Sequence, residues 1–424
     1  MASVPTPSAK RRWLQLVLGV ICMVMIANLQ YGWNLFVNPI DHKFHWGLPA
    51  IQVAFSIFVL TETWLIPIEG WFVDHFGPRL VVTIGGLLVA AAWAIDSTAT
   101  SLFQLYVAAA LSGLGAGAVY GTCVGNALKW FPDRRGLAAG MTAAGFGAGA
   151  AATVVPIREV IAAFGYQSAF LWFGLAQGAV ILILARFLFA PKSHALPARV
   201  HRAHSPRDFH FREMLRTPLF WLLYVMFVLV AAGGLMATAQ LATIARDFGV
   251  ASRPLVIAGY AVTTLTLALP IDNVLNGLAR PFFGWVSDRI GREETMGLVF
   301  TLGAASIWAL GAFGFDPLLF ILLSGAVYFT WGEIYSLFPA TCTDSFGARY
   351  AATNAGLLYT AKGTASILVP VANLVVNATH GWHDVFIAAG AMDLVAAILA
   401  IALLKRMRLS HAARVRAAAV AGAE

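Results

Sequence analysis

Two basic residues, Arg280 and Lys362, stand inside long apolar runs of this chain. A charged side chain at the centre of a bilayer costs at least ~2.5–3.5 kcal/mol on insertion scales, so a residue placed there usually faces a cavity. At 1.5 Å per helical residue, Arg280 lies about 12 Å before Asp288 and Lys362 about 20 Å beyond Arg349. Both depths fall near the middle of a ~30 Å hydrocarbon core. Arginine offers a planar fork that matches a carboxylate, and lysine a mobile point charge. Two cations at mid-depth point to an anion site. The competing reading is that an internal acid neutralises each one.

Polar and aromatic neighbours recur at helical spacing around these cations. Asn273, Asn276 and Arg280 share one face, and Tyr359, Lys362 and Ser366 share another. Gln30 and Asn34 lie one turn apart, with Tyr31 adjacent, and Trp331 and Tyr335 are also one turn apart. Such aromatics can shape a cavity and hold cations against their π faces. Taken singly, each also suits packing or an interfacial belt.

Acids occur in the same apolar runs. Glu62 and Glu69 share a face, and Glu333, Asp272 and Asp393 lie in or near other runs. A buried carboxyl can carry a proton, balance a cation or act as a neutral hydrogen bonder. Glu333 is two residues from both Trp331 and Tyr335, about 200° around a helix, so it is expected to point away from any cavity they line. Glu62 and Glu333 are the candidate proton-sensitive groups. Glu62 is favoured because it sits at mid-depth, about 18 Å from Asp74.

The elements that must position these groups are legible in composition. The chain has 424 residues, of which 59% are hydrophobic and 11% charged. Soluble domains run about 45–50% apolar and about 25% charged. This balance excludes a soluble enzyme, a disordered chain and a nucleic-acid binder. The sequence pI near 9.6 has a different origin, because basic residues cluster beside the apolar runs, as the membrane orientation rule requires. Apolar runs long enough to cross a bilayer begin near Trp13, Ala50, Leu80, Leu102, Gly136, Gln167, Leu219, Pro254, Thr295, Pro317, Ala351 and Val385. They predict an all-α integral membrane protein with twelve transmembrane helices. Lys10 to Arg12, Arg79, Lys129, Arg134, Arg135, Arg289, Arg292, Arg349 and the residues from Lys405 to Arg416 fall on one side, which places both termini in the cytoplasm. Cys22, Cys123 and Cys342 lack metal spacing. No metal and no cofactor are expected.

The chain also repeats. A long connection rich in arginine separates an N-terminal six-helix half, residues 1–190, from a C-terminal half, residues 219–405. The connection itself is 191–218, and a basic tail occupies 406–424. Gly70-Trp71-Phe72-Val73-Asp74-His75-Phe76-Gly77-Pro78-Arg79 is echoed half a chain later by Gly284-Trp285-Val286-Ser287-Asp288-Arg289-Ile290-Gly291-Arg292. Repeated halves around a midplane site are a common plan of secondary transporters. A carboxylate at a helix terminus can accept backbone N–H bonds and pair with arginine. Asp74, Arg79, Asp288, Arg289 and Arg292 are therefore the expected gating residues. Gly113, Gly117, Gly121 and Gly125 recur every four residues, and such a face lets another backbone approach.

The repeated loop resembles the signature of the major facilitator superfamily, with His75 in place of the family's arginine. Further segments narrow the resemblance to the oxalate/formate antiporter family. They include Gln30-Tyr31-Gly32-Trp33, Val119-Tyr120-Gly121, Trp130-Phe131-Pro132-Asp133-Arg134-Arg135-Gly136, Asn276-Gly277-Leu278-Ala279-Arg280-Pro281, Thr330-Trp331-Gly332 and Ala361-Lys362-Gly363-Thr364. The resemblance implies the major facilitator fold, with Arg280 and Lys362 as the cations that clamp oxalate. It also implies that Gln30, Tyr31, Tyr120, Trp331 and Tyr335 line the cavity. The sequence departs from that pattern at Tyr359, where the best-known member has tryptophan, and at Glu62, Glu69 and Glu333. It implies a multi-pass inner-membrane exchanger of small carboxylates, oxalate for formate foremost, with electrogenic exchange. The partners are then small carboxylates and the lipid bilayer, no nucleic acid is involved, and a monomer is expected. The alternative is a proton-coupled monocarboxylate symporter using Glu62 or Glu333. A membrane sensor lacks a soluble signalling domain here. A membrane enzyme lacks a recognisable acid/base or nucleophile motif.

Overall fold

A computed structural model of the protein describes residues 9–191, 204–257 and 260–421. Residues 192–203 of the expected linker, including Lys192, Arg199 and Arg202, lie outside the described residues, as do both ends of the chain. The first part of the bundle contains α1 (Ala9–Tyr31), α2 (Asn34–Phe44), α3 (Leu48–Trp64), α4 (Ile66–Phe76), α5 (Pro78–Thr98), α6 (Leu102–Trp130), α7 (Arg135–Phe164) and α8 (Tyr166–Ala185). A short helix, α9 (Phe211–Leu215), leads into α10 (Pro218–Asp247). Two antiparallel strands follow, β1 (Pro254–Ile257) and β2 (Tyr260–Thr263). The remaining helices are α11 (Thr264–Ile290), α12 (Arg292–Phe313), α13 (Pro317–Trp331), α14 (Ile334–Phe346), α15 (Ala351–Ser366), α16 (Leu368–Thr379) and α17 (His383–Leu399). A π turn at Ala400–Leu404 joins α17 to α18 (Lys405–Ala421).

Nine helical stretches among the described residues are long and apolar enough to cross a membrane, or ten with α3 and α4 counted as one span bent by 42°. The two remaining units of the expected twelve are α11 and the α15–α16 pair. They carry Asp272, Arg280 and Asp288, and Lys362, which lower their apolar character. The helices that read least like membrane spans are thus the ones that bear the central cations. Outside the bundle, Leu87, Leu175, Ile183, Leu322 and Ile398 remain at least half exposed, as a lipid-facing surface allows.

One expected boundary is corrected. The apolar run at Pro254 does not begin a helix; it enters β1, and the helix begins at Thr264. Val256, Val262 and Thr263 are β-branched and suit an extended pair. Pro254 pairs with Thr263 and Leu255 with Val262. The expected tail is also helical as far as Ala421, continuing the last unit.

Four units are interrupted near mid-length: between α1 and α2 at Gly32–Trp33, α3 and α4 at Leu65, α13 and α14 at Gly332–Glu333, and α15 and α16 at Ile367. Proline explains one of them, because Pro67 in the first turn of α4 has no N–H to continue the ladder of α3. Interrupted helices at the midplane are a recurrent way of forming transporter sites.

Glycine sets the closeness of the two parts. A methyl group on Gly140 of α7 would collide with the backbone carbonyl of Arg280 in α11, and one on Gly136 with the carbonyl of Gly284. The Gly113 to Gly125 stripe of α6 packs as expected on α3, α4 and α15: Gly113 meets Phe58 and Thr61, Gly117 meets Glu62 and Glu69, and Gly125 meets Ala352. Gly70 of α4 abuts Ala352 and Thr353 of α15. These approaches zip α7 to α11, and α3, α4 and α6 to α15.

Candidate functional site

Arg280 is 2% exposed and is held by both parts of the bundle. Its Nη1 donates to the Ala143 carbonyl of α7 at 2.7 Å, and its Nη2 donates to Asn276 Oδ1 at 2.9 Å. Asn276 in turn donates to the Tyr328 carbonyl at 3.0 Å, which fixes the amide that holds the guanidinium. No carboxylate pairs with Arg280 among the described residues.

Lys362 is 5% exposed and donates to Tyr359 Oη at 3.1 Å. Tyr335 neighbours both cations: its ring centre is 4.4 Å from the Arg280 guanidinium and 5.7 Å from Lys362 Nζ. Unlike Arg280, Lys362 has an acid beside it, with Glu62 Oε2 3.9 Å from Nζ. The neutralising acid weighed against the anion site is therefore present for one cation and not for the other.

The aromatic residues form one continuous chain of ring contacts. It runs from Tyr31 to Phe146 (5.3 Å), Tyr120 (5.8 Å), Tyr359 (5.0 Å), Tyr335 (6.2 Å) and Trp331 (5.7 Å). Five of these six were expected at the site. Phe146 was not, because a lone phenylalanine in a glycine-rich run has no sequence feature that separates it from packing. Gln30 Oε1 and Trp331 Nε1 are buried without hydrogen-bond partners among the described residues. Asn273, expected on the Arg280 face, is exposed and donates to the Leu269 carbonyl at 2.9 Å.

Glu333 is fully buried at the α13–α14 interruption. It lies within electrostatic reach of Asp393, whose carboxylate packs beside Gly233 and Gly303. Its side chain forms no hydrogen bond or ion pair with Arg280 or Lys362. This matches the orientation expected from its position two residues from Trp331 and Tyr335.

Both repeated aspartates cap a helix of the opposite part. Asp288 accepts from the backbone N–H groups of Gly136 (3.0 Å) and Leu137 (2.8 Å) at the start of α7, and pairs with Arg292 at 2.8 Å. Asp74 accepts from the Thr353 N–H (2.9 Å) and hydroxyl (2.6 Å) at the start of α15, and from Lys129 at 2.6 Å. Each carboxylate offsets the partial positive charge of a helix N-terminus. The starts of α1 and α18 lie at this same end: Arg12 bonds Asp133, and Arg408 bonds Glu293 and Ser345.

The other expected gating residues divide. Arg292 also donates to Asp344 at 3.0 Å and belongs to the latch. Arg289 is exposed and stacks over Trp285 at 3.9 Å, beside the cleft that Arg134 also lines. Arg79 is exposed and sits with Arg186 in a lipid-side groove between α5 and α8, so it takes no place in the latch.

Sequence reasoning missed the hub of this end. Asp344 Oδ1 pairs with Arg135 of α7 at 2.6 Å, while Oδ2 takes Arg292 at 3.0 Å and Arg408 at 3.9 Å. His204 Nε2 is 3.4 Å from Asp344 Oδ1. Burial, reinforced by the surrounding arginines, pushes the His204 imidazole down to about 4 against the pull of Asp344. The available signal was a lone acid near the end of an apolar run, which spacing alone does not connect to three distant arginines.

Residues 18–370 match the sequence model of the Major Facilitator Superfamily. An oxalate:formate antiporter of Oxalobacter formigenes is 38% identical over 402 residues, 93% of this chain and 92% of the relative. The chain belongs to the major facilitator superfamily, in the oxalate/formate antiporter family. This superfamily member is also 24% identical to monocarboxylate transporter 12-B of Danio rerio, over 76% of this chain and 72% of that one. Its fold is similar to that of the E. coli fucose:proton symporter, with a TM-score of 0.64 at 16% identity, covering 93% of this chain and 98% of that one. It is thus a multi-pass membrane transporter and not an enzyme.

Proposed function

We propose that this transporter exchanges small carboxylates, oxalate for formate foremost, by alternating access around Arg280 and Lys362. The observation that carries the reading is the pair of buried cations that share one aromatic neighbour, the Tyr335 ring, at 4.4 and 5.7 Å from its centre. Arg280 donates to the Ala143 carbonyl and to Asn276, and its Nε has no hydrogen-bond partner among the described residues, which leaves a donor for a bound anion. Lys362 supplies a second positive charge that a planar dicarboxylate can reach. The antiporter relative supports the substrate class.

Under this reading the end that holds the Asp74 and Asp288 caps faces the cytoplasm, because the basic residues concentrate there. The protein lies in the bacterial inner membrane and acts as a monomer. The Asp74 and Asp288 caps are closed here, so the site is sealed from the cytoplasm. Substrate enters from the opposite side, screens the two cations from each other, and lets the parts rock about it. Opening then requires both caps to release.

The second reading is proton-coupled monocarboxylate symport, favoured by the 3.9 Å approach of Glu62 to Lys362 and by the monocarboxylate relative. Counterflow in proteoliposomes with oxalate, formate, lactate and pyruvate at two pH values separates the readings. Oxalate counterflow supports the first. Lactate or pyruvate uptake driven by a proton gradient, without oxalate counterflow, supports the second.

A further inference from the structure

Glu62 takes no part in the exchange steps of the first reading, yet it is fully buried on α3 and reaches Lys362, the one central cation with an acid partner among the described residues. Its two carboxylate oxygens have no hydrogen-bond partner among the described residues, and Lys362 is the one cation paired with them there. The groups facing it from surrounding elements are Lys362 and Tyr359 of α15, Tyr335 of α14 and Glu69 of α4. Gly117 of α6, which lacks a side chain, lets the backbone of Glu62 and the carboxyl of Glu69 approach.

The charges constrain what this site can close around. Arg280 and Lys362 contribute two positive charges, and an ionised Glu62 leaves one. Uncompensated charge buried away from water is costly, so the closed site favours a neutral sum. A monoanion completes that sum when Glu62 is ionised. A dianion completes it only when Glu62 is protonated. Geometry acts in the same direction: a substrate carboxylate arriving at Lys362 stands beside the Glu62 carboxylate, and two carboxylates sharing one site disfavour double ionisation.

We propose that Glu62 takes up a proton when the dianion binds and releases it when the monoanion binds, so that exchange is electroneutral. This inference rests on the carboxylate-exchange reading. One turnover then carries one oxalate dianion and one proton inward and one formate monoanion outward, with a single negative charge crossing in each direction. The proton comes from the water on the side to which the cavity is open and is delivered to the other side with the substrate. This differs from the electrogenic exchange that the family resemblance implies, and the difference originates in an acid that departs from the family pattern.

The test uses the full chain in proteoliposomes holding formate and a trapped pH indicator, with oxalate outside and the membrane potential clamped. The wild-type protein is expected to acidify the lumen as oxalate enters. Its final oxalate accumulation should not change with potential. Unlinked dianion-for-monoanion exchange would instead shift that accumulation about fifty-fold for each 100 mV. Glu62→Gln should exchange without moving protons and become potential-driven, while Glu69→Gln should keep the wild-type behaviour. Potential-driven exchange without acidification in the wild type overturns the proposal, as does loss of proton movement in Glu69→Gln but not in Glu62→Gln. If Glu62→Gln does not fold, the wild-type measurement alone decides. Absence of any oxalate counterflow in the wild type refutes the exchange reading itself, a distinct result.

Discussion

Replacing Asp288 with asparagine tests whether the helix caps hold the cytoplasmic end shut. The carboxylate accepts two backbone N–H bonds, from Gly136 and Leu137, and pairs with Arg292. Asparagine keeps one acceptor oxygen but places an NH2 group against the other N–H. The variant therefore loses one hydrogen bond to a charged group, worth about 1.5–3 kcal/mol. It also loses the carboxylate's attraction to the α7 N-terminus, about 0.3–1 kcal/mol. Arg292 retains Asp344, so its own burial stays compensated. The sum, about 2–4 kcal/mol, favours the open cytoplasmic end by roughly 30- to 700-fold at 1.4 kcal/mol per decade. Spin labels introduced through Arg134→Cys and Arg289→Cys, on opposite walls of the inter-part cleft, report the opening as a longer distance population. Exchange should slow while the preference among carboxylates stays unchanged. An unaltered distance distribution, or normal turnover with a changed substrate preference, would refute the gating argument.

Arg280→Gln and Lys362→Gln should each abolish oxalate exchange while the protein still reaches the membrane, measured by counterflow and by surface yield; wild-type exchange in either would remove the two-cation site. Glu333→Gln should keep exchange and its pH dependence, because Glu333 lies toward Asp393 and makes no bond to the cations; altered pH dependence in this variant would move the proton-sensitive role to it. His204 contributes to acid sensitivity. Its folded pKa of about 4 lies below the ordinary imidazole value of 6.5, so the unfolded chain binds its proton first and stability is lost as pH falls through that window. His204→Gln should flatten the decline of the melting temperature between those pH values, and an unchanged decline would show that the imidazole is not responsible.

Much of the architecture follows from one-dimensional information. Burial of backbone polar groups in lipid permits only helices or closed barrels, so apolar runs of membrane length already imply a helical bundle. The exceptional residues were visible for the same reason. Arg280 and Lys362 are conspicuous because a membrane span tolerates few charges, and the aspartates of the repeated loop because the motif occurs twice. The Pro254 run failed because β-branched and aromatic residues are apolar in a strand as well as in a helix, and hydropathy does not distinguish the two. What only the tertiary structure decided is which distant groups meet. Glu62 and Lys362, Asp74 and Thr353, Asp288 and Gly136, and Asp344 with Arg135, Arg292 and Arg408 are joined by glycine-permitted approaches between helices from different parts of the chain. Local spacing specifies which face a residue occupies on its own helix. The partner across a helix interface depends on how the helices are packed and rotated against each other, which is set by many side chains at once.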